Sequence, residues 1–127
     1  MQRVRMESVN SLLIPIVDIE NNRPTAFNAL IDNKNIDLII VKDSSQFHVY
    51  VNQCPHQGRR LDYAPGQFLS KSGTIICAAH GATFDMTSGL CVQGPCRGES
   101  LIALTTVFID DQLGVDLTPI IDIKTSG

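Results

Sequence analysis

Two short clusters in the chain each pair one cysteine with one histidine, and a glycine follows each histidine closely. Their residues are Cys54, His56 and Gly58 in the first cluster and Cys77, His80 and Gly81 in the second. Thiolate sulfur and imidazole nitrogen are both good ligands for transition metals. The chain has four cysteines and three histidines in all, so two matched clusters indicate a single metal site with four ligands.

A set of two thiolates and two imidazoles suits two kinds of metal centre. Zinc can bind all four ligands in a closed tetrahedral site of structural type. A [2Fe–2S] cluster can bind them with both cysteines on one iron and both histidines on the other. Zinc fingers usually group their cysteines together and carry their histidines on a helix, whereas each cluster here mixes the two types. The mixing favours a two-iron centre, and a structural zinc module is the alternative.

The composition is that of one globular domain. Apolar residues make up 43% of the 127 residues and charged residues 18%, which is typical of such a domain. The formal net charge is -3, so we expect no nucleic-acid partner and no attraction to an anionic membrane. The apolar run at 12–17 is broken by Pro15 and is too short to span a bilayer. We therefore expect a cytoplasmic protein with reduced thiols, in which a close Cys/His set indicates a metal site.

The elements that position the clusters are predicted to be strands. In 46–51, residues Phe47, Val49 and Val51 alternate with His48 and Tyr50, as the two faces of a strand do. Other runs are aliphatic or β-branched and lie between turn-forming residues. The predicted strands are 12–19, 26–31, 36–42, 46–51, 74–77 and 82–85, followed by a closing hairpin of 101–109 and 112–117. No segment has a convincing helical period, so the predicted fold is all-β with antiparallel pairs.

The amino-acid composition differs between the predicted β-scaffold and a loop-rich segment. Glycine, proline, serine and cysteine dominate from position 54 to position 98, and function usually lies on such loops. We predict a single domain over 1–127 with three kinds of segment. These are a base β-scaffold over about 11–51 and 99–118, a cluster-binding subdomain over about 52–98, and tails at 1–10 and 119–127.

The motif C-P-H followed by C-x-x-H-G resembles the Rieske [2Fe–2S] proteins, and the resemblance continues beyond the ligands. Phe84-Asp85 with Thr87-Ser88-Gly89 is similar to the family's F-D-x-x-T-G, and Gly94-Pro95 is similar to the "Pro loop" that covers the cluster. The resemblance implies the Rieske fold of antiparallel sheets, with a loop-rich cluster-binding subdomain. It is nearest to the small soluble Rieske proteins of the ferredoxin type.

The resemblance also implies how a [2Fe–2S] cluster is held. It assigns the inner iron to Cys54 and Cys77, and the outer iron to His56 and His80 through Nδ1. Gly58 and Gly81 allow the tight turns of the two ligand loops, and Gly94 and Pro95 cover the cluster. The candidate site residues are therefore Cys54, His56, Gly58, Cys77, His80, Gly81, Gly94 and Pro95.

The chain departs from the high-potential members of the family at four positions. Those members have an extra cysteine in each ligand loop, where this chain has Arg59 and Ala79, so their disulfide is not expected here. They also have a serine and a tyrosine where this chain has Ala82 and Phe84, which lack hydroxyl groups. Hydrogen bonds to cluster sulfur raise the potential. We therefore expect a potential near the low end of the Rieske range, roughly -150 mV.

Cys91 and Cys96 are the two cysteines that the resemblance does not use. They flank Val-Gln-Gly-Pro, next to the predicted cover loop. Small buried thiols are the favoured interpretation. A regulatory disulfide or an extra metal site is the alternative.

A Rieske centre transfers one electron at a time. With two ferric ions, two sulfides, two thiolates and neutral imidazoles, the oxidised centre has no net charge, which eases its reduction. No coordination position is open and no nucleophile–base pair is evident, so we expect an electron-transfer protein rather than an enzyme.

The resemblance implies redox proteins as partners, namely an NAD(P)H-dependent reductase and a terminal oxygenase. Arg59, Arg60 and Arg97 are expected near the electron exit, where they would steer an acidic partner. The alternative function is a Rieske-like small subunit of a larger oxidoreductase such as nitrite reductase.

Overall fold

A computed structural model gives the fold of most of the chain. The residues it describes are 2–8, 11–15, 19–31, 34–44, 46–55, 60–64, 66–77, 81–109 and 111–118. The predictions for His56, Gly58, Arg59, Ala79 and His80 therefore lie outside the described residues.

The described residues form twelve β-strands, and the prediction of an all-β fold is confirmed. In chain order they are β1 (Gln2–Ser8), β2 (Ser11–Pro15), β3 (Thr25–Ile31), β4 (Lys34–Asp43), β5 (Gln46–Val51), β6 (Leu69–Lys71), β7 (Thr74–Ile76), β8 (Thr83–Asp85), β9 (Cys91–Gln93), β10 (Ala103–Leu104), β11 (Thr106–Ile109) and β12 (Gln112–Asp116). No helix among these residues is long and apolar enough to cross a membrane.

The strands form two sheets of unequal size. The larger sheet has the order β10-β5-β4-β3-β1-β2-β12-β11, and the smaller has the order β6-β7-β8-β9. Neighbouring strands are antiparallel, except that β1 runs parallel to β3. All four strands of the smaller sheet fall within the loop-rich segment that follows β5.

Strands β4 and β5 separate two hydrophobic cores. Leu38 and Ile40 of β4 pack in the core of the larger sheet, whereas Ile39 and Val41 pack in a second core beside the smaller sheet. The predicted alternation in β5 is confirmed, because Val49 and Val51 face the first core and Tyr50 faces the second. A strand that is buried on both faces needs a continuous apolar run, which is what the sequence has at 38–41.

The predicted strands agree with the structure best where the apolar pattern is strongest. β5 has the predicted bounds, and β3, β4, β7, β8 and the closing hairpin were all expected. The predicted strand at 12–19 agrees with β2 over 12–15 and is wrong at Ile19, which is not in a strand; residues 16–18 lie outside the described part. β1, β6 and β9 were not predicted. Residues 2–8 were assigned to a tail, but they form β1 between β3 and β2.

Candidate iron–sulfur site

The two predicted cysteine ligands lie in the second core. Cys54 follows β5 and Cys77 follows β7 directly, and both side chains are completely buried free thiols. They share this core with Leu61, Ala82 and Phe84, among others. The structure therefore places the two predicted sulfur ligands in one dry environment, from which water is excluded.

The first ligand loop is closed at its base by Asn52. The side-chain carbonyl of Asn52 accepts a hydrogen bond of 2.7 Å from the backbone N–H of Leu61, and its amide group donates to Asp62 at 3.2 Å. Cys54 lies inside the segment that this contact closes. Because Asn52 directly follows β5, the loop is attached to the scaffold.

Arg60 ties the end of the same loop to the scaffold. Its Nε and Nη2 donate to the two carboxylate oxygens of Asp62 at 2.9 and 2.8 Å, and its Nη1 donates to Asp37 of β4. Arg60 thus pairs with two carboxylates while 40% of its side chain stays exposed. Arg97, the other described arginine of the steering prediction, is also exposed, and that prediction stays a prediction.

The Asp62 carboxylate is held ionised in a buried position. Its side chain has no exposed surface, and this burial by itself opposes ionisation. Hydrogen bonds from Arg60, from the backbone N–H of Gly66 and from Asn52 outweigh the burial, so the pKa of Asp62 lies below its usual range. A charged carboxylate with this many donors fixes the geometry of the segment around it.

The second ligand loop is also closed at its base. The backbone N–H of Cys77 donates to the carbonyl of Ala82 at 2.7 Å, and the N–H of Gly81 donates to the carbonyl of Cys77 at 2.8 Å. Gly81 has a φ of 72°, a left-handed conformation that glycine adopts without strain. This is a backbone conformation that the predicted turn at Gly81 would use. His80 is the residue before it, and it lies outside the described part.

The loop that contains Gly94 and Pro95 packs against the second ligand loop. Gly94 has a φ of 102°, and a β-carbon placed on it would lie 2.8 Å from the α-carbon of Ala82. Such contact is possible only for glycine, because the two backbones nearly touch. Pro95 is exposed. The structure therefore places the Gly94–Pro95 loop against Ala82. The role of this loop as a cover for the cluster stays a prediction.

The segment similar to F-D-x-x-T-G forms a tight turn after β8. The Asp85 carboxylate accepts hydrogen bonds from the hydroxyl and N–H of Thr87, both at 2.8 Å, and from the N–H of Ser88 at 3.2 Å. These bonds lower the pKa of Asp85, and burial opposes them only weakly. The motif thus forms the turn that joins β8 to β9.

Cys91 and Cys96 form a buried thiol pair beside the predicted ligands. Their sulfur atoms lie 2.9 Å apart, and each side chain is 1% exposed. Burial raises the pKa of Cys96 to about 12, with further contributions from the Cys91 and Cys54 thiols. The structure confirms the prediction that Cys91 and Cys96 are buried. The proximity of the two sulfurs was not predicted.

The described residues fit the sulfur half of a [2Fe–2S] site. Cys54 and Cys77 are unpaired thiols, each at the start of a loop whose base is closed by hydrogen bonds. A cluster bound there would supply a one-electron redox centre. Neither Asn52 nor the packing between Gly94 and Ala82 was found by sequence reasoning, because single polar or glycine contacts leave no periodic signal.

Comparison with known proteins agrees with this geometry. The family model of the Rieske [2Fe-2S] domain matches residues 13–111, which is most of the chain. The chain therefore belongs to the Rieske [2Fe–2S] domain family. This confirms the predicted family, its fold and the [2Fe–2S] cluster as the cofactor. No curated protein matches the chain significantly in sequence.

Three solved structures illustrate the likeness. The ferredoxin of carbazole 1,9a-dioxygenase from Nocardioides aromaticivorans IC177 is 25% identical with a TM-score of 0.61, over 82% of this chain and 93% of that chain. A chain from the complex of reduced oxygenase and oxidised ferredoxin in carbazole 1,9a-dioxygenase is 17% identical with a TM-score of 0.65, over 86% and 94%.

The third is the terminal oxygenase of carbazole 1,9a-dioxygenase from Novosphingobium sp. KA1, which is 16% identical with a TM-score of 0.67. That match covers 83% of this chain but only 28% of the oxygenase chain. The chain is therefore similar over nearly the whole length of a ferredoxin and over one part of an oxygenase.

Proposed function

We propose that this protein is a Rieske ferredoxin, a one-electron carrier that takes electrons from an NAD(P)H-dependent reductase and delivers them to a terminal oxygenase. The observation that carries the proposal is the match to the Nocardioides ferredoxin over 93% of that chain. The partner class is supported by the similar chain from a complex of oxygenase and ferredoxin. We place the protein in the cytoplasm, where its thiols are reduced.

The proposed ligands are Cys54 and Cys77 for one iron and His56 and His80 for the other. The family pattern supports this assignment, and so does the burial of both described cysteines. A bound cluster would supply a centre that accepts and returns one electron. The contribution of the chain is to exclude water from the sulfur side and to hold both loops at fixed bases. Gly58, Gly81, Gly94 and Pro95 would shape the loops around the cluster.

We also propose that residues 52–98 act as the cluster-binding subdomain on a base of 11–51 and 99–118. In support, the smaller sheet and the two loop bases all lie within 52–98. The observed β1 extends the base to include residues 2–8.

Metal analysis tests the proposed site. Protein purified without oxygen should contain about two irons and two acid-labile sulfides per chain and give a Rieske-type EPR signal. His56→Ala and His80→Ala should each abolish that signal. His48→Ala is the matched control, because His48 lies on β5 and is not a proposed ligand. One zinc per chain without iron would contradict the assignment.

Identification of the partners tests the proposed role. A tagged protein should recover a flavin reductase and a mononuclear-iron oxygenase from its own cells. The reduced protein should be reoxidised when it is mixed anaerobically with that oxygenase. The Cys54→Ser variant, which loses a proposed ligand, is the control for electron transfer. Recovery as a fixed subunit of one larger oxidoreductase, with no exchange between components, would contradict the ferredoxin role.

A further inference from the structure

Cys91 and Cys96 are not needed for cluster binding, yet the fold places them together. Their sulfur atoms are 2.9 Å apart, and a disulfide bond is roughly 2.05 Å long. Both side chains are 1% exposed. The Cys91 thiol lies 3.2 Å from the backbone carbonyl of Gln93. Two thiols that are already in contact need little movement to form a covalent bond.

The backbone holds the two cysteines in place independently of their side chains. The N–H of Cys91 donates to the carbonyl of Glu99 at 2.8 Å, and the N–H of Gly98 donates to the carbonyl of Cys91 at 3.2 Å. The N–H of Glu99 donates to the carbonyl of Cys96 at 2.8 Å. These three bonds close residues 91–99 into a loop with both thiols on its inner side.

We propose that Cys91 and Cys96 form a reversible disulfide that locks the loop carrying Gly94 and Pro95. The oxidant is a low-molecular-weight disulfide such as glutathione disulfide. One cysteine thiolate attacks the glutathione disulfide, forms a mixed disulfide and releases one glutathione thiol. The second cysteine then attacks the mixed disulfide and releases the other. Two protein thiols are oxidised to one disulfide, and one glutathione disulfide is reduced to two thiols.

The burial of Cys91 and Cys96 determines when thiol–disulfide exchange with glutathione disulfide can occur. Both thiols are buried in the closed loop, but the loop residues 92–95 and 97–100 are all exposed. Opening of the loop therefore brings the pair to solvent, whereas the closed loop shields a disulfide from reduction. Cys54 also lies close to Cys96, but as a proposed ligand it would be bound to iron in the cluster-loaded protein. Cys91 is therefore the partner of Cys96 in the proposed disulfide.

The disulfide would act on the loop that packs on the second ligand loop. Gly94 lies between the two cysteines and contacts Ala82 closely. A covalent bond between positions 91 and 96 would keep Gly94 against Ala82. The disulfide form should therefore lose its cluster to a chelator more slowly than the dithiol form.

Differential alkylation tests the proposal on the intact, cluster-loaded protein. The protein is incubated with glutathione disulfide and then denatured in N-ethylmaleimide, which labels every free thiol, including those released from the cluster. Trypsin gives the peptide 72–97, which contains Cys77, Cys91 and Cys96. The oxidised peptide should carry one maleimide, on Cys77, and should have lost two alkylatable thiols to an internal disulfide.

Reduced protein and two variants complete the test. The dithiol protein should carry three maleimides on this peptide. After the oxidant, Cys91→Ala and Cys96→Ala should each lack an internal cross-link, and the remaining cysteine should carry a maleimide or an unresolved glutathione. Three maleimides on the oxidised wild-type peptide would overturn the proposal. So would a bond from Cys54 or Cys77, or a stable glutathione adduct, in the wild-type protein. These peptide masses require no folded variant, and they do not depend on which redox partner the protein serves.

Discussion

The hydroxyl of Tyr50 on β5 donates a hydrogen bond of 2.8 Å to the backbone carbonyl of Met86, in the turn after β8. The ring of the same tyrosine fills the space beside Gly89, where an added β-carbon would lie 2.8 Å from a ring carbon. Tyr50 is 2% exposed. A single side chain therefore connects the larger sheet to the turn that supports β8 and β9, and this explains why that turn needs a glycine.

Replacing Tyr50 with phenylalanine should destabilise the protein by about 1 kcal/mol, because the Met86 carbonyl would be buried without its donor. Tyr63→Phe is the matched control. Tyr63 is 59% exposed, so its loss of a hydroxyl should leave stability unchanged. Urea unfolding at neutral pH measures both. Equal stability of Tyr50→Phe and the native protein would show that the hydrogen bond contributes nothing.

The ionisation of Tyr50 should make the protein lose stability at alkaline pH. Burial, with a smaller effect from the Asp85 carboxylate, raises the pKa of Tyr50 to about 12. An acid whose pKa is raised by folding stabilises the native state fully below the unfolded pKa of roughly 10, and this contribution is lost as pH rises through the folded pKa. The native protein should therefore lose more stability than Tyr50→Phe between about pH 10 and pH 12. Parallel stability curves would contradict this.

The buried Asp62 carboxylate should be essential for the base of the first ligand loop. Asp62→Asn should destabilise the protein on the order of 2 kcal/mol at pH 7, because Arg60 loses a charged acceptor. Asp116→Asn is the control, because Asp116 is exposed and bonds only to nearby Thr118. Thermal unfolding measures both variants.

The pH dependence of this effect has a definite sign. The pKa of Asp62 is lowered by folding, so its stabilising contribution is present above the unfolded pKa of roughly 3.9 and is lost as pH falls through the folded pKa. The difference between the native protein and Asp62→Asn should therefore shrink in acid. A difference that grows as pH falls would refute the role of the charge.

The sequence was sufficient for the parts of the fold that depend on repeated patterns. The alternation in β5 predicted a strand with the correct faces, and the aliphatic run of β4 predicted a strand. β1 was missed because its alternation rests on only two apolar residues, Val4 and Met6, and its place depends on backbone pairing with two other strands. The loop base at Asn52 was missed for a related reason. A side-chain bond to Leu61, nine residues later, leaves no periodic signature in the sequence.

Gly94→Ala should disturb the contact between the Gly94–Pro95 loop and the second ligand loop. The new methyl group would lie 2.8 Å from the Ala82 α-carbon, so the loop would have to move. Gly98→Ala is the matched control, because Gly98 has a similarly positive φ but open space around it. Both variants carry the backbone strain, and only Gly94→Ala carries the clash. We expect faster loss of the cluster to a chelator in Gly94→Ala than in Gly98→Ala, and equal rates would rule out the contact as the cause.

Arg97 is an exposed cation close in sequence to the Gly94–Pro95 loop. Arg97→Glu should slow electron transfer to the oxygenase, and most strongly at low salt, because screening weakens steering. Arg23→Glu makes the same change in net charge at an exposed position that already pairs with Glu20, and should have little effect. Stopped-flow reoxidation measures both. The same slowing in both variants would point to net charge rather than to a docking site.

The reduction potential should be raised by restoring either missing hydroxyl. Ala82 and Phe84 are completely buried in the core that contains Cys54 and Cys77, and neither side chain has a donor. A hydrogen bond to cluster sulfur stabilises the added electron and raises the potential. The native protein should have a midpoint of roughly -150 mV at pH 7, and Ala82→Ser and Phe84→Tyr should each have a higher one.

Thr83 supplies the control for that experiment. Thr83 begins β8 and lies between Ala82 and Phe84 in the chain, so its side chain points to the opposite face, and its hydroxyl is 3.4 Å from the carbonyl of Gly81. Thr83→Val removes a hydroxyl on that other face and should leave the potential unchanged. Protein-film voltammetry of all four proteins gives the comparison. A native midpoint well above zero would mean that the missing hydroxyls do not set the potential, and that NAD(P)H-linked reduction is no longer favoured over reduction by a quinol.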